Sequence, residues 1–111
     1  MATIQIQPIK TAVPMPMDQI VEFCRRWTLS EFALFGSVLR DDFGPESDID
    51  VLVSYPKDWP HGLFEWVQMQ DELALVFDRK VDLVSRRGVE FSRNPYRRKG
   101  ILDSARVIYA A

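Results

Sequence analysis

The chain has very little cysteine and histidine, with one residue of each, Cys24 and His61, among 111 residues. A single cysteine cannot form a disulfide within the chain, so a reducing cytoplasm is the expected compartment. The same scarcity excludes a conventional zinc site built from cysteine and histidine ligands. We therefore expect neither disulfides nor structural zinc to stabilise this fold.

Long apolar runs are also absent. The first ten residues lack the basic start and apolar core of a secretory signal, and no uncharged apolar run approaches the roughly 20 residues of a membrane span. The formal net charge is only −2, so the whole molecule is not strongly attracted to nucleic acid or to a membrane surface. We expect no membrane partner, and nucleic acid stays open as a partner without being favoured.

The chain does contain enough apolar material for one compact domain. Hydrophobic residues make up 47% of the sequence, including three tryptophans, which is sufficient for a buried core. Residues 1–17 hold three prolines and are predicted to form an extended arm, in which the alternating residues 3–7 could add a short edge strand. Residues 18–111 are predicted to form the folded domain.

Hydrophobic periodicity predicts an alternation of helices and strands. Apolar residues recur at helical spacing through about residue 28, with Asp18 as the expected helix cap. Short apolar runs predict strands at 32–35, 48–55 and 81–85, and a final strand at 105–109. This order predicts an α/β fold: a small mixed β-sheet with helices packed on one face and the other face left open for chemistry.

A second helix is predicted after the loop at 56–62. Trp59, within that loop, is expected to be an exposed interaction residue. The expected apolar face of the helix is Leu63, Trp66, Val67, Leu73, Leu75 and Phe77.

Three aspartates stand at unusual places in the predicted strands. Residues two apart in a strand point to the same face, so Asp48 and Asp50 share one face. Ile49, Val51 and Val53 are then expected to face the core. Taken alone, such a pair is more typical of a solvated sheet edge. Asp82, on the next predicted strand, changes this balance, because three converging carboxylates can hold two Mg²⁺ ions that stabilise the attacking and leaving oxygens of an in-line displacement. Asp82 is also placed to accept the proton of an attacking hydroxyl.

Gly36 and Ser37 follow the first buried strand directly. Glycine permits a tight turn in which backbone N–H groups approach phosphate oxygens, and the Ser37 hydroxyl can donate to the same phosphates. Arg40 lies one helical turn further on. It has two equally good interpretations: contact with a triphosphate, or an ion pair with Asp48 or Glu46 that holds the loop.

Basic residues are concentrated near the end of the chain, where residues 86–99 carry six basic side chains against Glu90 alone. This segment is predicted to be a loop with one or two short helices. It could contact nucleotide phosphate, nucleic acid or a protein partner, and an ordinary solvated face is an equally good interpretation.

The combined pattern resembles the DNA-polymerase-β-type nucleotidyltransferases, and most closely their minimal nucleotidyltransferase (MNT) branch. The resemblance spans about residues 18–111, with its motifs in 35–53 and 81–84. The residues that carry it are Phe35-Gly36-Ser37, Arg40, Pro45, Ser47-Asp48-Ile49-Asp50 and Asp82.

Members of that family use Mg²⁺ to transfer a nucleoside monophosphate from a nucleoside triphosphate to a hydroxyl group, releasing pyrophosphate. Many minimal members are encoded beside an all-helical HEPN protein, often an RNase toxin, and act as its antitoxin, some by adenylylating a tyrosine of that partner. The resemblance implies nucleotide binding by Gly36, Ser37 and Arg40, and metal ligation by Asp48, Asp50 and Asp82, with a base role for Asp82. The chain departs from the family pattern at Asp41, directly after Arg40, where family members often have glycine.

The leading hypothesis is therefore an Mg²⁺-dependent nucleotidyltransferase, with two metal ions and ATP as substrate, that modifies a HEPN-type partner. One alternative is a non-catalytic antitoxin or scaffold that binds a helical partner. Another is addition of a nucleotide to RNA or to a small molecule. The sequence leaves an oligomer open.

Overall fold

The computed structural model describes residues 5–6, 15–40, 43–44 and 46–111, with side chains described from residue 15 onward. Most of the expected arm at 1–17 lies outside the described residues, as do Asp41, Asp42 and Pro45. The helices are α1 Met17–Arg26, α2 Leu63–Phe77, α3 Arg86–Glu90 and α4 Pro95–Ser104, and a short 3₁₀ turn spans Gly36–Leu39. The strands are β1 Gln5–Ile6, β2 Glu31–Phe35, β3 Ile49–Ser54, β4 Val81–Ser85 and β5 Arg106–Ala110.

The strands form one mixed sheet in the order β1-β5-β2-β3-β4. β3 and β4 run parallel and are connected through α2, whereas the other neighbours pair antiparallel. The predicted small mixed α/β sheet is confirmed. The expected edge strand within residues 3–7 is also found, at Gln5–Ile6, where it pairs with β5.

α1 covers one face of the sheet with a single apolar stripe. Ile20, Phe23 and Cys24 recur at the i, i+3, i+4 spacing of one helix face and are buried. Burial raises the pKa of the Cys24 thiol to about 12, so this cysteine is not a reactive thiolate. The expected capping role of Asp18 is wrong: the helix begins at Met17 and Asp18 lies in its first turn, where a carboxylate complements the helix dipole.

α2 buries a narrower stripe than the sequence predicts. Met69 and Leu73, one turn apart, are fully buried against the sheet. Leu63, Val67 and Leu75 were expected on the buried face and are instead 81%, 51% and 83% exposed. The helix carries apolar residues on two sides, and its periodicity alone does not decide which side meets the sheet.

Helices occupy both faces of the sheet, which qualifies the expectation of one covered face. On the first face, α1 and α2 pack against the alternating apolar residues of β2, β3 and β4. On the second face, Val89 of α3 and Ile101 of α4 pack with Phe35 and Leu52. The second face is therefore only partly open, and its uncovered end lies beside Asp50 and Asp82. Within the described residues, no helix is both long and apolar enough to cross a membrane.

Candidate active site

Strand register brings the three predicted aspartates to one end of the second face. Asp50 of β3 pairs directly with Asp82 of β4 in the parallel ladder. Asp48 lies one residue before β3, and its charge acts on Asp50. Ile49 and Val51, which alternate with them, are buried in the core on the opposite face. Residues 34 positions apart in the chain therefore share one patch, as the sequence predicts.

The charges of this patch act on one another. Burial is the largest cause of a raised pKa at Asp50, and the negative charges of Asp82 and Asp48 raise it further. The positive charges of Arg40 and Arg97 oppose that shift. Asp50 is thus the centre of a negative cluster that is only partly neutralised by arginine, and such a cluster attracts cations.

The side chains of Asp48 and Asp82 are accessible to solvent. The side chain of Asp48 is 41% exposed, and its Oδ2 lies 3.9 Å from Nζ of Lys80, a weak exposed pair. Asp82 is exposed on its strand. Among the described residues, no three carboxylate, imidazole or thiol groups form a ready-made metal cage. Mg²⁺ typically binds one or two carboxylates and completes its coordination shell with water and substrate phosphates, so it does not need such a cage.

The Gly-Ser turn lies against the carboxylates because of the β2–β3 pairing. Phe35 is the register partner of Asp50, so Gly36 follows at the same level of the sheet. Gly36 has φ of +74°, in the left-handed region, and a Cβ at this position would collide with Oδ2 of Asp50. Only glycine allows the backbone to turn this close to the carboxylate. Ser37 follows in the 3₁₀ turn and is half-buried beside the site.

Arg40 ends this turn on the same side as the aspartates. Its backbone N–H donates to the carbonyl of Ser37 at 2.9 Å, which fixes the path of the chain out of the turn. Its charge is close enough to Asp50 to oppose the rise in the pKa of that carboxyl. The structure therefore brings together all six residues predicted for the site: Gly36, Ser37, Arg40, Asp48, Asp50 and Asp82.

Arg79 is a positioning residue that the sequence did not reveal. Its Nη1 donates to the carbonyls of Gly44 and Ser47 at 2.8 and 3.0 Å, and its guanidinium stacks 4.5 Å above the ring of Phe43. Ser47 closes the loop locally, since its hydroxyl accepts from the N–H of Gly44. These contacts fix the chain directly before Asp48. The sequence gives no signal for them because Arg79 and Gly44 are 35 residues apart.

The basic segment 86–99 divides into residues with different roles. Nε of Arg86 lies 3.4 Å from Oε1 of Glu31, and Nη1 of Arg98 donates to the carbonyl of Ser92. Both side chains therefore hold the fold together. Arg97, by contrast, places its charge near Asp50. The segment is neither a uniform solvated face nor a continuous basic stripe.

A second concave region lies at the opposite ends of β3 and β4. Trp59 is half-buried there, its ring stacked on Tyr55 at 4.3 Å and its Nε1 donating to the carbonyl of Trp27. The expectation that Trp59 is exposed is wrong, because this hydrogen bond and ring stacking tie the loop to the core. A pocket of about 370 Å³ beside it is lined largely by aromatic and apolar residues.

A comparison with protein families assigns the chain to one of them. The nucleotidyltransferase domain matches residues 17–108, most of the chain. Two proteins of Methanocaldococcus jannaschii are each 30% identical to this chain. The match to "Putative protein adenylyltransferase MJ0126" extends over 80 residues, which is 72% of this chain and 76% of the relative. The match to "Putative protein adenylyltransferase MJ1379" extends over 76 residues, which is 68% of this chain and 73% of the relative.

Solved structures share the fold. A minimal nucleotidyltransferase structure, described as putative, is 27% identical with a TM-score of 0.62, covering 80% of this chain and 85% of that one. A toxin–antitoxin structure with AMP-PNP has a TM-score of 0.68 at 21% identity, covering 87% and 75%. A Shewanella oneidensis complex of MNT antitoxin and tri-AMPylated HEPN toxin has a TM-score of 0.59 at 22% identity, covering 85% and 69%.

Proposed function

Because the chain belongs to the nucleotidyltransferase domain family, we propose that it transfers AMP from ATP to a hydroxyl group of a protein partner, with Mg²⁺ as cofactor. The observation that carries this proposal is the convergence of Asp48, Asp50 and Asp82 beside the Gly36 turn. The proposed acceptor is a tyrosine of a HEPN-type partner, for which this chain acts as the antitoxin.

The donor set fits a hard divalent cation. The three aspartates offer only carboxylate oxygens, the ligand class that Mg²⁺ prefers. Asp48, Asp50 and Asp82 would hold the ions, which would supply charge stabilisation to the triphosphate and the transition state. Burial and the charges of Asp82 and Asp48 raise the pKa of Asp50, and a bound cation would offset the repulsion among these carboxylates.

The chain's own groups can position the reaction. The turn at Gly36 and Ser37 lies beside Asp50 and is the proposed contact of the triphosphate, with Arg40 at its end. The acceptor oxygen forms a bond to the α-phosphorus of ATP, and the bond from that phosphorus to the bridging oxygen breaks to release pyrophosphate. The proton of the acceptor hydroxyl passes to Asp82, whose exposure leaves room for an incoming side chain.

The relatives support a protein acceptor. The two archaeal relatives carry the name of protein adenylyltransferases, and the Shewanella neighbour is an MNT antitoxin whose HEPN toxin carries AMP groups. The second face of the sheet leaves room for such an acceptor, because α3 and α4 cover only part of it and the carboxylate end is accessible to another molecule.

The direct test incubates the purified chain with α-³²P-ATP, Mg²⁺ and the HEPN-type protein encoded beside it. We expect label on the partner, located at a tyrosine by peptide mass spectrometry, and none with Asp50→Asn. Lys57→Ala, which removes an exposed charge away from the site, is the matched control and should label normally. Absence of label on the partner with the wild-type chain would refute protein adenylylation.

Two outcomes would favour the other candidate functions. A variant with both Asp48→Asn and Asp50→Asn that still protects cells from the partner toxin in full would favour neutralisation by binding alone. Label on RNA, or on a small molecule, in place of the partner would favour a different acceptor. Arg86 and Arg98 are engaged within the fold, so a continuous basic stripe for RNA is not formed by the whole segment, although Arg87, Arg93, Arg97 and Lys99 are exposed.

A further inference from the structure

Arg97 lies on the side of α4 that meets the sheet. Ile101, one helical turn further on, is buried in the cluster that contains Phe35. Residues four apart on a helix share a face, so Arg97 and Ile101 lie on the same side of α4. Phe35 is in turn the register partner of Asp50. Arg97 is therefore on the side of α4 that faces this cluster, and its charge acts on Asp50.

The backbone around Arg97 is firmly held. Oδ1 of Asn94 accepts from the N–H groups of Tyr96 and Arg97, both at 3.1 Å, which caps the helix. Arg98 anchors the same turn through its bond to the carbonyl of Ser92. The starting point of the Arg97 side chain is therefore fixed relative to the site.

The guanidinium of Arg97, in contrast, is exposed and uncommitted to the fold. It makes no hydrogen bond or ion pair with any other residue in the described part of the chain. Its neighbours in the basic segment, Arg86 and Arg98, both have structural partners. Its charge nevertheless reaches Asp50, where it acts in the same direction as that of Arg40. Two arginines from separate elements thus flank the three aspartates.

Attraction to the aspartates does not by itself explain why Arg40 and Arg97 lie beside them. In the proposed reaction the carboxylates are neutralised by Mg²⁺, and ATP brings a strongly negative triphosphate into the same space. A guanidinium presents a planar fork of donors that matches phosphate oxygens, and an uncommitted one at this position is suited to bind them.

We propose that Arg97 binds the β- and γ-phosphates of ATP and later the pyrophosphate leaving group. This inference rests on the proposed function, because it assigns a further residue to the same nucleotide site. It makes α4 part of the nucleotide site and gives one member of the basic segment a specific anionic ligand. Arg97 touches the leaving group in this arrangement, so it would lower the barrier to release of pyrophosphate as well as bind the substrate.

Binding measurements on the full chain test this assignment directly. Isothermal titration with MgATP, Mg-pyrophosphate and AMP compares ligands with and without the phosphates that Arg97 contacts. The variants are Arg97→Ala, Arg97→Lys and Lys99→Ala. Lys99 is the matched control because it is an exposed base on the same helix, two residues away and so on a different side. Thermal melting without ligand checks that each variant is folded.

We expect Arg97→Ala to weaken MgATP and Mg-pyrophosphate binding by about tenfold, the loss typical of a charge-assisted contact, while AMP binding stays unchanged. Arg97→Lys should fall between, since it keeps the charge but loses the fork. Lys99→Ala should match the wild type. Unchanged MgATP binding by Arg97→Ala, or an equal loss for AMP and MgATP, would overturn the assignment. A wild-type chain that binds no MgATP would instead refute the proposed function.

Discussion

At the scale of single residues, Gly36 shows how closely backbone and chemistry are fitted at this site. Its positive φ favours glycine, and a Cβ at this position would force the Asp50 carboxylate to move. Gly100, in the middle of α4, has no such restriction, since a Cβ there would meet nothing within 4 Å. The two glycines make a matched pair for mutation.

We predict that Gly36→Ala abolishes nucleotide transfer, because the new methyl group displaces the Asp50 carboxylate. The left-handed backbone adds a cost of about 1–2 kcal/mol to folding. Gly100→Ala should keep full activity and raise the free energy of unfolding by up to about 1 kcal/mol through helix propensity. Transfer assays and urea melts measure both effects. An active Gly36→Ala variant would show that Asp50 is not held as described.

The Asp50 carboxylate itself is unfavourable for the metal-free fold. Its pKa is raised by burial and by the charges of Asp82 and Asp48, so its ionised form is less stable in the folded chain than in the unfolded one. The stability that goes with protonation is present below the unfolded pKa of 3.8 and is lost as pH rises through the raised folded pKa.

We predict that Asp50→Asn melts at the same temperature as the wild type or slightly higher at neutral pH without Mg²⁺, while transfer is lost. The difference in melting temperature should shrink as the pH falls through the raised pKa of Asp50 and be smallest below the ordinary value of 3.8. Differential scanning fluorimetry across pH provides the comparison. A marked fall in the melting temperature of Asp50→Asn at neutral pH would contradict the assignment of carboxylate repulsion.

At the scale of elements, the β2–β3 pair and the loop between them create the site. Pairing of Phe35 with Asp50 sets the distance from the Gly-Ser turn to the aspartates, and the β3–β4 ladder adds Asp82. The end of the loop is fixed by Arg79, which lies just before β4. Arg79 thus links the segment before β4 to the loop before β3, although it contacts none of the predicted site residues.

We predict that Arg79→Ala lowers transfer activity about tenfold or more, because a loosened loop no longer presents Asp48 in its reactive position. The free energy of unfolding should fall by about 1–3 kcal/mol, the range for hydrogen bonds to a charged group. The ratio kcat/KM and urea melts report the two effects. Lys57→Ala controls for loss of an exposed charge, and full activity of Arg79→Ala would contradict a positioning role.

The positions of the helices and strands could be predicted well from the sequence. Which side of each element is buried could be predicted less well. β4 is found at Val81–Ser85 as predicted, because a short β-branched run next to a polar turn has few alternatives. The exposure of Leu63 and Leu75 could not be predicted, since α2 has apolar residues on two sides. The contacts of Arg79 and the proximity of Arg97 to Asp50 depend on long-range packing, which local patterns do not encode.

The site residues were predictable for a different reason. Alternation along a strand places Asp48 and Asp50 on one face wherever that strand lies, and pairing of neighbouring strands then brings in Asp82. The placement of this site thus follows from strand geometry and from the prediction that β3 and β4 are neighbours. The contribution of Arg97, on α4, to the electrostatics of the site could not be predicted from local sequence patterns.

At the scale of the whole molecule, charge is separated although the net charge is only −2. A negative patch lies at one end of the second face, with arginines at its margin. A ligand that carries both a divalent cation and a polyphosphate matches both charges at once, and neither component alone does so. The molecule is therefore expected to bind metal and nucleotide together.

We predict that MgATP at one hundred times its dissociation constant raises the melting temperature by about 10 °C or more, from a linkage energy of about 2.7 kcal/mol. Mg²⁺ alone, and ATP with EDTA, should each give a much smaller shift. Asp50→Asn should lose most of the MgATP shift while melting normally without ligand. An unchanged wild-type midpoint at saturating MgATP would count against a functional nucleotide site.

The central claim is that Asp48, Asp50 and Asp82 share a metal beside the Gly36 turn. The most direct measurement is anomalous diffraction from crystals grown with Mn²⁺ and a non-hydrolysable ATP analogue. We predict a manganese peak bound by the carboxylates of Asp48 and Asp50, with the triphosphate of the analogue against Gly36 and Ser37. Manganese bound elsewhere, or a nucleotide in the aromatic pocket beside Trp59 with these carboxylates free of metal, would contradict the account.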